Sequence, residues 1–185
     1  MRIIAGSARG IRLAAPGGPV IRPTSDRVRE ALFNILAHGI AGFTLAGARV
    51  LDLFAGTGAL GLEALSRGAA FCVFIDDDAA ARGLIRENVE RTRMTGRARV
   101  SRRDAANLGP VGKYEPFGLA FADPPYGRGL AATAAASAIA GGWMRPGAVM
   151  VVEEAADAAF AWPDGLSALD ERRYGDTLIR IARAR

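Results

Sequence analysis

From residue 49 onward, short apolar runs alternate with segments whose apolar residues recur at helical spacing. The segments 60–65, 78–94 and 130–139 follow the helical period and predict helices. The apolar runs between them predict strands at residues 50–54, 71–76, 98–102, 117–122 and 148–152. A uniformly apolar run is typical of a parallel strand covered on both faces. The pattern predicts an α/β fold with a mostly parallel sheet and helices on both of its faces.

The two ends of the chain depart from this alternation. Residues 166–184 predict two strands joined at Tyr174-Gly175-Asp176, an antiparallel hairpin that completes a seven-stranded sheet. Residues 1–23 alternate arginines with short β-like pieces around glycines, which predicts a small β-hairpin and a Pro-Gly loop. We divide the chain into an N-terminal extension, residues 1–40, and a main domain, residues 41–185.

A helix is predicted to end this extension, with Thr24 or Ser25 as its N-cap. Arg27 and Arg29 lie off its apolar stripe and are expected to be free for a partner. His38 is the only histidine, so we expect a surface or capping role and no metal site. The apolar stripe itself consists of Val28, Ala31, Leu32, Ile35 and Leu36.

Length and composition fit one domain with a small appendage. The 185 residues are 50% apolar, and no apolar run reaches the roughly 18 residues of a membrane span. The first residues lack the apolar core of a signal peptide, so we expect a cytoplasmic protein without a membrane partner. Cys72 is the only cysteine, which excludes an intramolecular disulfide and predicts a small core residue.

The basic residues indicate a polyanionic partner. The net charge is +5, and Lys113 is the only lysine among 24 basic residues. Arginine binds phosphate in a bidentate manner and stacks on bases, although a GC-rich genome gives the same bias. The extension carries Arg2, Arg9, Arg12 and Arg22, which we interpret as a clamp on a phosphate backbone; a solvated terminus is the alternative.

Residues 49–61, RVLDLFAGTGALG, form the stretch around which the chain is organised. An apolar strand runs into Gly56, Gly58 and Gly61, and a helical pattern follows. This order is typical of a Rossmann-like nucleotide-binding unit. Gly56 and Gly58 let a ligand lie against the backbone, whereas Gly61 lets helix and strand pack closely.

Two carboxylates add chemistry to this loop. Asp52 lies inside the strand, four residues before Gly56, where it can hold a cationic amino group. Asp76 ends the next apolar run and can accept hydrogen bonds from both hydroxyls of a ribose. The pair favours S-adenosylmethionine as cofactor; a nicotinamide dehydrogenase and a glycine turn without a ligand are the alternatives.

A second motif, Asp123-Pro124-Pro125-Tyr126, follows the strand 117–122. It is therefore expected at the carboxyl edge of the sheet, beside the glycine loop. The prolines hold the chain extended, so Asp123 and a proline carbonyl form a rigid pair of acceptors, while Tyr126 offers an aromatic face. These features suit a planar base with an exocyclic amino group, unpaired or flipped out of its helix.

With both motifs, the chain resembles the S-adenosylmethionine-dependent amino-methyltransferases. The relevant segments are LDLFAGTGALGLEALSRGA and ADPPYG. The N-terminal block RIIAGSARGIRLAAP…IRPTSDRVREALFNIL is similar to the RsmD family of 16S ribosomal RNA guanine-N2 methyltransferases. The resemblance extends to the tail ERRYGDTLIRI and covers essentially the whole chain. It implies a class I methyltransferase fold.

The resemblance also implies roles for individual residues. The loop after the first strand would hold the methionine end, and Asp104 with Ala105 would border the adenine. The family often has glutamate where Asp76 stands, so either Asp76 or Asp77 is implied at the ribose. Asp123, Pro124, Pro125 and Tyr126 would hold the guanine. The implied methionine-binding residues are Asp52, Phe54, Ala55, Gly56 and Gly58.

Our main hypothesis is methylation of the N2 amine of a guanine in 16S rRNA, within the small ribosomal subunit or its assembly intermediate. Arg128, after the second motif, is expected to close over the nucleotide, and we expect a monomer without a metal. A DNA adenine-N6 or cytosine-N4 methyltransferase uses the same motifs, but no insertion here is large enough for a base-reading domain. A non-catalytic RNA-binding assembly factor is the third reading. The arginines expected to grip phosphates are Arg2, Arg9, Arg12, Arg22 and Arg27.

Overall fold

The predicted alternation of strands and helices is confirmed in the computed structural model, which describes residues 1–17 and 26–185. The helices are α1 (Asp26–His38), α2 (Ala59–Ser66), α3 (Ala79–Arg91) and α4 (Leu130–Ala140). The strands are β1 (Arg49–Leu53), β2 (Phe71–Ile75), β3 (Ala98–Ser101), β4 (Phe117–Ala122), β5 (Met144–Ala155), β6 (Leu166–Tyr174) and β7 (Thr177–Ala184). Short 3-10 turns occupy Thr95–Arg97 and Ala105–Asn107.

The seven strands form one sheet in the order β3-β2-β1-β4-β5-β7-β6. Strands β1 to β5 are parallel to one another, and β7 inserts antiparallel between β5 and β6. The sheet is therefore mostly parallel and ends in the predicted C-terminal hairpin. Its strand order reverses between β1 and β4, where open α/β sheets bind ligands.

Helices cover both faces of the sheet. Helices α1, α2 and α3 pack on one face, with Phe33 of α1 against Phe121 of β4 at 5.8 Å between ring centroids. Helix α4 packs on the other face through its alanines. Trp143, which follows α4, is fully buried in the same core. Strands β1, β2 and β4 and residues 148–152 of β5 are almost entirely buried, as their largely apolar sequences predict. Cys72 is fully buried in the core on the α1–α3 face of the sheet.

Strand β5 is longer at both ends than the predicted 148–152. Its N-terminal part pairs through a register irregularity, since Phe117 faces Met144 whereas Leu119 faces Val149. Its C-terminal part extends through Glu153 and Glu154, because both pair with β7. Two consecutive glutamates do not resemble a buried strand, so the apolar pattern predicted a shorter element.

The N-terminal extension reverses direction as predicted, but a single antiparallel bridge between Arg2 and Arg12 replaces a hairpin ladder. Backbone bonds between Ile3 and Ile11 and between Gly10 and Ile3 continue beside this bridge, and the next backbone donors bond to α2. The N–H groups of Ile4 and Ala5 donate to the carboxylate of Glu63, at 2.7 and 3.0 Å. The extension is thereby fixed on the main domain.

Apolar residues of the extension belong to the same core as the sheet. Ile3, Leu13, Leu32, Phe33 and Leu36 are buried in the cluster that covers the α1–α3 face. The division at residue 40 stays a prediction about function and describes no separate core.

One expectation for α1 is wrong. Arg29 is 1% exposed and not free for a partner, because its guanidinium bonds to Asp26 at 2.9 Å and to the carbonyl of Arg2. Burial lowers the pKa of Arg29. Arg27 is exposed, as expected. The predicted caps Thr24 and Ser25, and the candidate Arg22, lie outside the described residues.

Within residues 1–17 and 26–185, no helix combines the length and apolar character needed to cross a membrane.

Candidate active site

The two sequence motifs meet at the carboxyl edge of the sheet. The glycine loop follows β1 and the Asp123-Tyr126 motif follows β4, and these strands are neighbours with Leu53 opposite Ala122. The backbone N–H of Asp123 donates to the carbonyl of Leu53 at 3.5 Å. The predicted adjacency is therefore confirmed.

The glycine loop is a tight turn in which three alternating residues have positive φ. Phe54, Gly56 and Gly58 have φ of 54°, 56° and 77°, in the left-handed region. A Cβ at Gly56 would meet only the carbonyl of Phe54, at 3.9 Å, so its surface stays open for a ligand. Phe54 is the unexpected member, because a non-glycine residue at such φ is strained by roughly 1–2 kcal/mol.

Gly61 serves packing, as predicted. A Cβ at this position would lie 2.4 Å from Phe74 and 2.6 Å from Cys72, both on β2. Only glycine lets α2 approach the sheet this closely, which brings the first turn of α2 onto Asp52.

Asp52 is a buried carboxylate near the carboxyl end of the central strand β1. It is 2% exposed, and its Oδ2 accepts a hydrogen bond from the N–H of Gly61 at 2.9 Å. Burial raises the pKa of Asp52 to about 8, with a smaller contribution from the charge of Asp76. A cation at this position would restore the ionised form, so the residue fits an ammonium group.

Asp76 braces the glycine loop from the end of β2. One carboxylate oxygen accepts from the N–H of Gly56 at 2.9 Å, and the other accepts from the N–H of Asp78 at 2.9 Å. Each oxygen has further acceptor capacity, so Asp76 can serve the loop and a hydroxyl ligand together. Asp77 is exposed one residue further along.

Asp104 follows β3 and begins a 3-10 turn. Its carboxylate accepts from the N–H of Ala106 at 2.8 Å, which leaves Ala105 buried beneath the exposed Asp104. Both residues lie at the same carboxyl edge as the glycine loop, because β3 pairs with β2 in parallel.

Asp123 lies among other carboxylates. Burial raises the pKa of Asp123 well above its ordinary value, and the charges of Glu153, Asp52 and Glu154 raise it further. Pro124 is buried, whereas Pro125 and Tyr126 are exposed. The motif thus presents, inside a rigid loop, a carboxyl group whose protonated form is favoured by burial and by neighbouring negative charges.

Two glutamates of β5 hold this loop, and the sequence reading missed them. The hydroxyl of Tyr126 donates to Glu153 at 2.7 Å, and burial raises the Tyr126 pKa. Glu154 accepts from the N–H of Gly127 at 3.2 Å. Both glutamates are buried, and a signal was present: two acids directly after an apolar strand at the ligand-binding edge.

The described arginine candidates divide into those that line clefts on the extension and Arg128, which lies elsewhere. Arg2, Arg9 and Arg27 line one cleft of about 370 Å³, together with Asp26. Arg12 lines a neighbouring cleft with Arg2 and Asp26. Arg128 is exposed after the Tyr126 loop and lines neither cleft.

The described residues contain no group of three or more His, Cys, Asp or Glu side chains arranged to hold a metal ion. The donor set instead fits an organic cation with a ribose: a buried carboxylate, an open glycine backbone and a second carboxylate at the next strand.

This strand order and site define the class I, Rossmann-like methyltransferase fold. The model of the family described as "Conserved hypothetical protein 95" matches residues 1–183, so the chain belongs to this family, the RsmD family of the sequence analysis. The resemblance to this family and the predicted fold class are both confirmed.

Relatives agree with this assignment. "Ribosomal RNA small subunit methyltransferase D" of Escherichia coli K12 is 42% identical over 83% of this chain and 74% of its own. The Haemophilus influenzae protein of the same name is 32% identical over 98% and 92%. An E. coli structure described as methyltransferase yhhF superposes with a TM-score of 0.83 and 36% identity, covering 100% and 97% of the two chains.

Proposed function

We propose that this protein transfers a methyl group from S-adenosylmethionine to the exocyclic N2 amine of a guanine in 16S rRNA. The observation that carries the proposal is the contact between Asp123 and Leu53, which brings the two motifs proposed to bind the cofactor and the base together at one sheet edge. The names of the E. coli and H. influenzae relatives support rRNA of the small subunit as the substrate. The choice of guanine N2 rests on the family resemblance.

At the cofactor end, this chain would bind and orient. When bound, S-adenosylmethionine supplies an electrophilic methyl group on its sulfonium. Asp52 would hold the ammonium group, because its buried carboxylate needs a cation to ionise at neutral pH. Asp76 or Asp77 would accept from the ribose. The remaining contacts would come from the loop and the adenine-bordering residues Phe54, Ala55, Gly56, Gly58, Asp104 and Ala105.

At the base end, the chain would hold the amino group rather than deprotonate it. Asp123 and the carbonyl of Pro124 would accept hydrogen bonds from the two N–H groups of the amine, which would direct the nitrogen lone pair toward the cofactor. No strong base is needed before transfer, because the amine can lose its proton afterwards; positioning supplies most of the rate. Pro125 keeps the loop extended, and Tyr126 offers a face for stacking.

The extension, residues 1–40, would bind the RNA backbone. Arg2, Arg9, Arg12 and Arg27 surround Asp26 on the described surface, where several guanidinium groups can contact phosphates at once. Arg128 would approach the same nucleotide from the base end. The substrate would be the small subunit or an intermediate of its assembly.

The test uses tritiated S-adenosylmethionine with three acceptors: 30S subunits from a strain lacking this gene, naked 16S rRNA, and duplex DNA. Label in rRNA that digests to N2-methylguanosine is the expected result. Label only in DNA would make the substrate proposal wrong. Asp123→Ala is the matched variant, expected to bind cofactor normally but to lose methyl transfer. If this variant methylates at the normal rate, the amine-holding role is wrong.

A further inference from the structure

A buried asparagine joins the N-terminal extension to the glycine loop. Asn88 lies on the inner face of α3 and is fully buried. Its Oδ1 accepts from the N–H of Ala14 at 2.6 Å, and its Nδ2 donates to the carbonyl of Ala14 at 3.0 Å. The same Nδ2 donates to the carbonyl of Thr57, between Gly56 and Gly58, at 2.9 Å. The Asn88 side chain therefore binds the N–H and the carbonyl of Ala14 in the extension and also the carbonyl of Thr57 in the glycine loop.

Because Asn88 is buried, the two sides of this contact depend on each other. If the extension dissociates from the main domain, the Asn88 amide loses both hydrogen bonds to Ala14. Its remaining bond to Thr57 then holds the side chain in place less firmly. If the glycine loop changes shape, the amide that orients Ala14 moves with it. Buried polar groups without partners are unfavourable, so the structure favours the state in which both segments are in place.

A second contact reaches the same loop residue from the other arm of the extension. The hydroxyl of Thr57 donates to the sulfur of Met1 at 3.6 Å. The carbonyl of Met1 in turn accepts from the N–H of Leu13 at 3.2 Å. One arm of the extension thus contacts Thr57 directly through Met1, and the other reaches it through Asn88; both contacts lie within two residues of the bridged pair Arg2 and Arg12.

We propose that Asn88 is a positioning residue that couples cofactor binding to RNA binding. A cofactor that fixes the glycine loop would fix Ala14 through Asn88 and so hold Arg2 and Arg12 in their RNA-binding arrangement. By thermodynamic reciprocity, RNA on the extension must strengthen cofactor binding by the same factor. The inference rests on the proposed function, since it takes S-adenosylmethionine and RNA as the two ligands.

The chain offers a control that loosens the extension elsewhere. Ser66, at the end of α2, accepts from the N–H of Ala8 at 3.0 Å and donates to the carbonyl of Ala5. These bonds anchor the extension without touching Thr57. Ser66→Ala should weaken RNA binding while leaving the communication with the cofactor loop intact.

The first test measures the dissociation constant of S-adenosylhomocysteine, a non-reactive probe, with and without saturating 16S rRNA. For the wild-type protein we expect RNA to tighten binding by at least about fivefold, the lower range of allosteric coupling. For Asn88→Ala the factor should fall to near one although both ligands still bind, and for Ser66→Ala it should stay as in wild type. Equal factors in wild type and Asn88→Ala would overturn the proposal.

The outcomes separate this inference from the proposed function. A wild-type protein that binds neither ligand contradicts the function itself. A wild-type protein that binds both ligands with a factor of one contradicts only the coupling.

The second test needs no RNA and no variant, so it decides the matter even if Asn88→Ala fails to fold. Hydrogen exchange of the Ala14 amide is measured in the wild-type protein with and without the cofactor analogue. Slower exchange at Ala14 by about tenfold or more, alongside unchanged exchange in β6, supports the coupling. Unchanged exchange at Ala14 in the bound protein would overturn it.

Discussion

At the scale of single residues, the site is built from carboxylates whose charge burial suppresses. The pKa of Asp52 is about 8 and that of Asp123 lies well above its ordinary value, in both cases chiefly through burial. The folded protein therefore binds protons that the unfolded chain releases, and its stability falls as pH rises from the ordinary carboxylate pKa toward the raised value. A ligand that offers a cation or N–H donors reverses this penalty.

Asp52→Asn tests the first carboxylate. Asparagine can still accept a hydrogen bond from Gly61 but carries no charge. The unliganded variant should therefore melt at a higher temperature than wild type at pH 8, and this difference in melting temperature should be smaller at pH 5. Each kcal/mol corresponds to about 2–4 °C in a protein of this size. Cofactor binding should be lost, because the ammonium has no counter-charge. Thermal melts across pH and titration calorimetry measure both effects. The exposed Asp157→Asn is the control; equal pH dependence in both variants would contradict the assignment.

Asp123→Asn tests the second carboxylate through the pH dependence of methyl transfer. Burial raises the pKa of Asp123 and so favours its protonated form; the wild-type rate should therefore increase with pH as the carboxylate, a stronger acceptor, forms. Asparagine keeps an acceptor oxygen that does not titrate, so the variant should retain partial activity with a flatter profile. Single-turnover rates between pH 6 and 9.5 measure this. A variant profile as steep as the wild-type one would assign the dependence to another group.

At the scale of elements, the sequence was most informative where one physical requirement dominates. Uniformly apolar strands and the Gly56, Gly58 and Gly61 spacing predicted the sheet and its ligand edge, because burial and close approach leave few residue choices. The prediction for Arg29 was wrong and Glu153 was not predicted as a site residue, because a buried charge can be recognised only once its partners are known. Those partners, Asp26 and Tyr126, lie on other turns or elements.

Gly61→Ala tests the approach of α2 to the sheet. The added methyl group would overlap Phe74 and Cys72, so we expect destabilisation of roughly 1–3 kcal/mol, as for overpacked cores. Displacement of α2 should also weaken cofactor binding, because Gly61 bonds to Asp52. Urea unfolding and calorimetry give the two values. Gly83→Ala in α3 is the matched control, since a Cβ there meets open space and should be neutral or stabilising.

Glu153→Gln tests how β5 controls the Tyr126 loop. Glutamine retains an acceptor for the Tyr126 hydroxyl, so the loop should keep its position. The lost charge no longer raises the pKa of Asp123, so the pH profile of methyl transfer should shift to lower pH. Glu153→Leu removes both charge and acceptor and should lower the rate at every pH. If Glu153→Gln leaves the profile in place, the electrostatic link between the two residues is wrong.

At the scale of the whole molecule, the chain separates two kinds of charge. Buried acids cluster at the carboxyl edge of the sheet, where a cation and a base amine are expected. Exposed arginines surround Asp26 on the extension, beside the loop that Asn88 and Met1 contact. A net charge of +5 favours encounter with a polyanion, and under the proposed function the edge would then select the nucleotide.

The salt dependence of RNA binding tests this separation. Each phosphate contact releases counterions, so removing two contacts should lower the slope of log K against log salt by about two. The double variant Arg9→Gln with Arg27→Gln removes two exposed arginines from the cleft on the extension. Arg172→Gln with Arg173→Gln changes the net charge equally but on β6, so its slope should remain near the wild-type value. A uniform decrease in both double variants would mean that total charge alone binds the RNA. A decrease confined to the first would place the phosphate backbone across the extension, where the coupling through Asn88 can transmit its binding to the cofactor loop.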